Sequence, residues 1–268
     1  MAEKKRRFFS WFSLAVISLV GFVYYTTVFI FLEEWLGLGT SSGILNAILF
    51  SCLTVMSLVS YFVATFTDPG VVPSSFVPMV EDPQNNPFDA EYCDRCAVYK
   101  PPRTHHCQYC KRCVLKMDHH CVWMDTCVGY RNHKPFIIFV LHATLGSCYA
   151  MVIFVGGFFQ EDHDFETFFL KAGYVLFGFF IAILSLTMSS FFAWNVYLLA
   201  HNMTTIEFRA GERARWLANR RGQHHRHPFD LGIIQNFVSV FGPNMCQWLC
   251  PTSIGHLQDG TQFPISND

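Results

Sequence analysis

Four long apolar stretches dominate the hydrophobic pattern of the chain, at residues 8–32, 44–66, 135–159 and 172–200. None of them contains Asp, Glu, Lys or Arg, and the third has only His142 as a titratable side chain. A helix needs about 20 residues to cross a bilayer, so each stretch predicts a transmembrane helix. Buried helices of a large soluble core are the alternative, and stretches this long and uncharged argue against it. A cleaved leader is disfavoured for the first stretch, because its apolar run exceeds the roughly 7–15 residues of a signal peptide.

The polar segments between these stretches divide the chain into four parts. They are an N-terminal tail with two spans (1–66), a linker with a cysteine-rich domain (67–134), two further spans (135–201) and a C-terminal tail (202–268). The block at 92–127 shows neither a helical nor a strand period of apolar residues, so hydrophobic burial alone would not fold it. We see no internal repeat and no low-complexity tract.

Charge placement predicts which side of the membrane each segment faces. Charged residues make up 15% of the chain and the net charge is −1, which excludes a globally basic nucleic-acid binder. Of the 19 Lys and Arg, four precede the first stretch, eight lie between the second and third, and six follow the fourth. The two opposite loops hold Lys171 and six acidic residues. Basic residues collect on the cytoplasmic side, so both termini and the large middle loop are predicted to be cytoplasmic.

The cysteine-rich block has the spacing of a metal-binding domain. Eight of the 11 cysteines lie between Cys93 and Cys148, several of them in C-x2-C runs. Two-residue gaps let neighbouring thiolates converge on one zinc ion, which takes four tetrahedral ligands. Free thiols in a loop are the weaker alternative, because a block without a core needs a metal to fold. Spacing leaves the pairing open, but an economical ligand set for two zinc ions is Cys93, Cys96, His106, Cys107, Cys110, Cys113, His120 and Cys127.

This count leaves Cys121 without a metal, next to Asp118 and His119. A thiol beside an imidazole can act as a nucleophile, and a carboxylate can orient that imidazole. Spacing alone leaves a catalytic group and a further structural cysteine equally open, but a thiol near the third span could meet a lipid-borne electrophile. The sequence therefore predicts an all-α membrane protein with four transmembrane helices and a cytoplasmic two-zinc cysteine-rich domain between the second and third spans.

Four segments together resemble the DHHC-type protein S-acyltransferases (palmitoyltransferases). They match the DHHC, DPG and TTxE motifs of that family and its C-terminal motif, at Asp118-His119-His120-Cys121, Asp68-Pro69-Gly70, Thr204-Thr205-Ile206-Glu207 and around Asn236. The resemblance covers essentially the whole chain and is strongest to plant members. One departure is Met124-Asp125-Thr126, where the family usually has an apolar residue followed by Asn-Asn, and Asp125 adds a negative charge near the nucleophile.

The resemblance implies transfer of a palmitoyl or other long-chain acyl group from acyl-CoA to cysteines of membrane-associated proteins, in two steps through a thioester on Cys121. His119 would be the base and Asp118 the carboxylate that orients it. The basic residues expected to contact the CoA phosphates are Lys100, Arg103 and His105, for which a solvated basic surface is the alternative. The expected location is an endomembrane (Golgi or endoplasmic reticulum) or the plasma membrane. The two zinc ions would be bound by Cys93, Cys96, His106 and Cys113, and by Cys107, Cys110, His120 and Cys127.

Two other functions are compatible with parts of the pattern. A zinc-stabilised membrane adaptor would tolerate changes at Asp118, His119 or Cys121, but all three are present. A channel or transporter would carry charges inside its spans, and His142 is the sole candidate. The residues present therefore favour the acyltransferase.

Overall fold

The computed structural model describes residues 10–78, 91–160, 168–222 and 227–266. Helix α1 (Trp11–Tyr25) continues through a π-helical segment (Thr26–Leu32) into the short α2 (Glu33–Leu36). The remaining helices are α3 (Ser41–Phe66), α4 (His133–Gln160), α5 (Phe168–Ala200), α6 (Thr205–Arg220) and α7 (Ile233–Phe241). Six short strands lie between α3 and α4: β1 (Tyr92–Cys93), β2 (Val98–Tyr99), β3 (His105–Cys107), β4 (Arg112–Val114), β5 (His119–Cys121) and β6 (Thr126–Val128).

Within these described ranges, four helical stretches are long and apolar enough to cross a membrane, Trp11–Leu36, Ser41–Phe66, His133–Phe159 and Ala172–Ala200. They confirm the predicted four-span layout, with the cysteine-rich region between the second and third spans. Several predicted features lie outside the described residues: the basic residues Lys4 to Arg7, the second half of the linker and the acidic loop at 161–166. The four-part division of the sequence stays a prediction, because the described chain clusters differently, into two compact units.

The first unit, Met1–Tyr61 with Ile137–Ala193, contains most of the four spans. Its core is built on aromatic contacts around Phe31. The centroid of the Phe31 ring lies 5.2 Å from that of Phe154, 5.0 Å from that of Tyr174 and 4.6 Å from that of Phe177. Small residues let rings approach the helices closely: a Cβ added at Gly156 would lie 2.4 Å from Trp35. Such contacts are typical of helix packing in membranes, where lipid offers no hydrophobic driving force between helices. The helices of this unit thus associate by close packing.

The second unit, Phe62–Phe136 with Trp194–Asp268, contains the cysteine-rich region. Its six strands form three antiparallel hairpins, β1–β2, β3–β4 and β5–β6. The three hairpins share one register, with Cys93 opposite Val98, Cys107 opposite Arg112, and Cys121 opposite Thr126. Each hairpin turns through a residue of positive φ, and these residues are Ala97, Lys111 and Asp125.

These hairpins are an internal repeat of 14 residues, so the prediction that the chain has no repeat is wrong. Cys93, Cys107 and Cys121 stand 14 positions apart, and the turn residues of positive φ follow the same spacing. The repeat is hard to read from the sequence because its other positions differ in chemistry. The knuckle cysteines of a hairpin are the C-x2-C pair at its turn. In the second hairpin they are Cys107 and Cys110, whereas the third hairpin has Cys121 and Met124 at these positions.

The segment after α3 braces the hairpins from one side. The carboxylate of Asp68 accepts a hydrogen bond from the Gly70 amide (2.9 Å) and pairs with Arg112 (2.8 Å). Gly70 has a φ of +114° and packs against Leu115, so a side chain there would be strained and crowded. The Asp-Pro-Gly motif therefore attaches the segment after α3 to β4 and the residue that follows it.

Two buried polar side chains tie the helix ends of this unit to its loops. The amide of Asn132 donates to the carbonyls of Ala64 (3.0 Å) and Cys127 (2.9 Å), which links α3 to β6. Lys134 is 1% exposed, and its ammonium donates to three backbone carbonyls of the C-terminal segment, those of Phe241, Gln247 and Ser253, at 3.0, 2.9 and 2.8 Å. Every buried donor of these two side chains is thus satisfied, as a buried amide and a buried ammonium require.

Candidate active site and metal clusters

Two groups of four side chains converge within the three hairpins. The ligand atoms of each group lie within 4.8 Å of one another. In the first, the Nδ1 atom of His106 lies 3.6, 3.1 and 4.0 Å from the sulfurs of Cys93, Cys96 and Cys113. In the second, the Nδ1 atom of His120 lies at 3.6, 3.4 and 3.7 Å from Cys107, Cys110 and Cys127. The structure brings together the same two quartets that the family resemblance implies.

The alternation of side chains along a strand explains how the two groups interleave. Successive residues of a strand point to opposite faces, so the neighbours His106 and Cys107 face different groups. Each group combines the two knuckle cysteines of one hairpin with a cross-strand His–Cys pair of the next hairpin, His106 with Cys113 or His120 with Cys127. Each hairpin therefore depends on its neighbour.

Both groups fit a tetrahedral zinc ion. Bond lengths of about 2.3 Å to sulfur and 2.0 Å to nitrogen require ligand atoms about 3.5–3.8 Å apart. The nitrogen–sulfur distances above straddle that range, and the sulfurs of Cys110 and Cys127 lie 3.5 Å apart. The hydrogen bond between Cys110 and Cys127 lowers the pKa of the Cys110 thiol and raises that of Cys127, so it favours the metal-binding thiolate form on Cys110. Donor set and geometry both suit a structural metal.

The strand that supplies His120 to a metal group presents His119 and Cys121 on its other face. His119 and Cys121 are two positions apart on β5, and so share a face. Cys121 has no place in either metal group and is 8% exposed. The Nδ1 atom of His119 donates to the carboxylate of Asp118 at 2.6 Å. This leaves the ring's Nε2 atom as the nitrogen available to the thiol.

The charges of this group stabilise one another. Burial alone would lower the pKa of His119, but hydrogen bonds with Asp118 and Cys121 raise it to about 9. Burial would raise the pKa of the Asp118 carboxyl, but the hydrogen bond and charge of His119 lower it to about 2. At neutral pH the imidazole is therefore protonated and the carboxylate ionised. An imidazolium beside a thiol stabilises the thiolate, the nucleophilic form.

The N-terminus of α6 holds the Asp118 carboxylate. The backbone amide of Thr205 donates to it at 2.7 Å and the Thr205 hydroxyl at 3.0 Å. Thr204 and Glu207 form a reciprocal capping box, in which the Glu207 amide donates to the Thr204 hydroxyl (3.1 Å) and the Thr204 amide to the Glu207 carboxylate (2.8 Å). A helix N-terminus also favours negative charge. The Thr-Thr-Ile-Glu motif therefore positions the carboxylate that orients His119.

For the acylation of Cys121 that the family resemblance implies, replacing Thr205 with valine should give a rate about tenfold lower, because it removes one hydrogen bond to a charged group and keeps the backbone bond. The rate of acyl-enzyme formation from labelled palmitoyl-CoA measures the effect. Thr252→Val, at an exposed threonine of the C-terminal segment, is the matched control and should react at the wild-type rate. Equal acylation rates for the two variants would contradict a role of the Thr205 hydroxyl in positioning Asp118.

A cleft of about 350 Å³ opens beside this group, lined by Asp118, His119 and Thr205 together with Tyr109 and Arg209. The ring of Tyr109 stacks on the metal-group histidine His120, with ring centroids 4.7 Å apart. The cleft therefore makes the His119 imidazole, whose side chain is 30% exposed, reachable from solvent.

The three residues predicted to contact CoA differ in their surroundings. The ammonium of Lys100 pairs with the exposed Glu91 at 2.7 Å. His105 is half-buried on β3. The side chain of Arg103 is 1% exposed and pairs with Glu207 at 2.7 Å. Their contact with CoA stays a prediction, and Arg103 could reach a phosphate only by leaving Glu207.

Two residues near the site had no role assigned from the sequence. Lys116 is 7% exposed and donates to the Asn202 side chain at 3.1 Å. Burial and the charge of Arg103 lower its pKa to about 7. Phe263 comes from the C-terminal tail and covers the Arg103 guanidinium. Their partners lie 86 and 160 positions away in the sequence, so no local pattern points to them.

Comparison with known proteins places this arrangement in a family. The family model for DHHC palmitoyltransferases matches residues 86–212, which include both metal groups, the DHHC segment and the TTxE motif. The chain is 47% identical to "Probable protein S-acyltransferase 15" of Arabidopsis thaliana over 258 residues, 93% of this chain and 100% of the relative. It is 41% identical to "Probable protein S-acyltransferase 16" of the same plant over 263 residues, 94% and 92% of the two chains.

A fungal protein extends the comparison beyond plants. "Palmitoyltransferase PFA3" of Debaryomyces hansenii is 32% identical over 210 residues, 69% of this chain and 51% of the relative. With the plant relatives matched over almost their whole length, the resemblance predicted from the sequence motifs is confirmed, and the chain belongs to the DHHC palmitoyltransferase family.

Proposed function

We propose that the chain transfers a long-chain acyl group, such as palmitoyl, from acyl-CoA to protein cysteines through a thioester on Cys121. Protein S-palmitoyltransfer is the activity of the family to which the chain belongs. One observation supports the assignment of roles to these residues. Thr205 and His119 both donate hydrogen bonds to Asp118, and His119 shares a strand face with Cys121, a cysteine outside both metal groups.

In the first step, the Cys121 thiol has already given its proton to His119, as the raised pKa of that imidazole favours, and the resulting thiolate attacks the thioester carbonyl of acyl-CoA. The carbon–sulfur bond to CoA breaks, and the CoA thiolate takes the proton back from the imidazolium. Asp118 stays ionised throughout and holds the imidazole in one orientation by accepting from Nδ1. The products are acyl-Cys121 and free CoA.

In the second step, a substrate cysteine thiol gives its proton to His119 and attacks the acyl-Cys121 carbonyl. Cys121 leaves as a thiolate and pairs again with the His119 imidazolium, which closes the cycle. Exchange of one thioester for another is nearly isoenergetic, so the protein contributes mainly positioning. The direction of net transfer then follows the concentrations of acyl-CoA and acceptor.

Zinc is the metal that best fits the two Cys3His groups, and we propose one ion in each. Closed sites of four protein ligands have no open position for a substrate, so the ions would be structural. They would hold β5 in the orientation that separates His120 from His119 and Cys121.

The distribution of Lys and Arg supports an orientation with both termini and the hairpins on the cytoplasmic side. The expected acceptors are membrane-associated proteins with cytoplasmic cysteines. Lys100 and His105 are the proposed contacts to the CoA phosphates. The ion pair of Lys100 with exposed Glu91 is weak enough to be exchanged for a phosphate.

The proposed function is tested with the full chain purified in detergent and incubated with palmitoyl-CoA. Mass spectrometry should locate a palmitoyl thioester on Cys121, and addition of a cysteine-containing lipidated peptide should move the label to that peptide. A protein that takes no label, or labels elsewhere and still acylates the peptide, would contradict the proposal.

A further inference from the structure

Arg103 lies at the centre of a buried polar network that reaches the active site. Its guanidinium forms a two-pronged ion pair with the Glu207 carboxylate, at 2.7 Å from Nε and 2.8 Å from Nη2. Two of its other three N–H bonds donate to Asn202, at 3.1 Å to its side chain and 2.7 Å to its carbonyl. Paired N–H bonds to a carboxylate fix its orientation as well as its distance. Arg103 therefore holds Glu207 in a single position.

Two aromatic rings cover this guanidinium. Its central carbon lies 4.4 Å from the ring centroid of Phe229 and 5.1 Å from that of Phe263. The ammonium of Lys116 lies 6.0 Å from the Phe263 ring as well. An aromatic face attracts a cation, and more strongly when water is excluded. Phe263 is the ring that the C-terminal tail adds to the site.

The tail is fastened on both sides of Phe263. The Gln258 amide donates to the Tyr130 hydroxyl at 3.2 Å, and the Ser266 amide donates to the Pro228 carbonyl at 2.8 Å. Between them, Gly260 packs so closely on Tyr130 that an added Cβ would lie 2.6 Å from the ring. The tail therefore delivers the Phe263 ring to a defined place.

We propose that Phe263 is a positioning residue of the acyl transfer, acting through Arg103 on the group that orients His119; this rests on the proposed function. Each link of the path is a contact given above. The ring shields Arg103, Arg103 fixes Glu207, Glu207 closes the capping box with Thr204, and the next residue, Thr205, holds Asp118 against His119. Removing the ring admits water to the ion pair and weakens it, because charges interact more strongly where water is excluded.

The test compares Phe263→Leu with wild type, since leucine stays apolar but is smaller than the ring and leaves part of the guanidinium open to water. The variant should keep both zinc ions and form the acyl-enzyme with a kcat about tenfold lower, because a small displacement of the base lowers rate steeply. Its KM for palmitoyl-CoA should stay within about twofold, since positioning of the base does not change substrate binding. Phe263→Tyr keeps the ring and should restore the wild-type rate. Ile265→Ala, two residues away in the same tail and 41% exposed at Ile265, should behave as wild type.

Several results would overturn the inference. One is a Phe263→Leu protein with wild-type kcat. A second is a raised KM with unchanged kcat, which would make this surface a CoA contact. A third is loss of zinc, which would make the ring a general folding residue, and a fourth is failure of Phe263→Tyr to restore the rate. If wild type itself forms no acyl-enzyme, the proposed function fails, which is a separate result from these four.

Discussion

A Cys121→Ser protein should carry no hydroxylamine-labile acyl label and should transfer none to an acceptor peptide. The serine hydroxyl is not ionised by an imidazole at neutral pH as readily as a thiol, so the attacking group is lost while the side-chain volume is nearly kept. Deletion of a nucleophile that works with a base lowers kcat by about 10⁶-fold, which here means below detection. Gel analysis of labelled palmitate, with and without hydroxylamine, measures the loss.

The same protein should keep its metal, because Cys121 lies outside both ligand groups. Cys246→Ser, at an exposed cysteine of the C-terminal segment, is the matched control and should label as wild type does. Hydroxylamine-labile label on Cys121→Ser would assign the acyl-enzyme to another cysteine. Loss of metal from the variant would instead make Cys121 a ligand.

A Cys107→Ala protein should lose both metal ions, although Cys107 belongs to one group only. Cys107 is the β3 neighbour of His106, which belongs to the other group, so collapse of the second group disturbs the first. Structural zinc in small domains contributes about 10–16 kcal/mol of folding free energy at neutral pH, far more than the hairpins can supply alone. We expect the cysteine-rich region to unfold, and acylation of Cys121 to stop.

Elemental analysis of the purified protein gives the metal content, and protease sensitivity between α3 and α4 reports the unfolding. Cys250→Ala, again at an exposed cysteine, should retain wild-type metal and resistance. A Cys107→Ala protein that keeps one ion would show that the two groups fold independently, in conflict with the interleaving.

The apolar pattern of the sequence was sufficient to locate the four spans. The predicted second and fourth spans end at Phe66 and Ala200, as α3 and α5 do. The starts of the spans were predicted less accurately. The third span was predicted to begin at Pro135, but α4 begins two residues earlier, at His133, because the first turn of a helix tolerates proline. The ends of a helix depend on capping contacts and are harder to predict from the sequence than its apolar interior.

The candidate site could be predicted only where its chemistry is local. The Asp118-His119-His120-Cys121 run carries its alternation in the sequence itself, since a strand sends consecutive residues to opposite faces. The contacts that hold this run come from far away: Thr205 is 87 positions from Asp118, and Glu207 is 104 positions from Arg103. A basic residue such as Arg103 suggests a solvent-exposed phosphate contact, and its burial depends on tertiary packing that no local pattern records.

The 14-residue repeat explains why Cys121 stays outside both metal groups. Each ion needs the knuckle cysteines of one hairpin and the cross-strand His–Cys pair of the following hairpin. Three hairpins therefore provide sites for two ions. The first hairpin has tyrosines where a cross-strand pair would bind, and the last has a knuckle with no successor, because the chain enters α4 six positions after Cys127. Cys121 thus lies in the hairpin that ends the series, and with Met124 in place of a second cysteine it would lack a full set of ligands even if another hairpin followed.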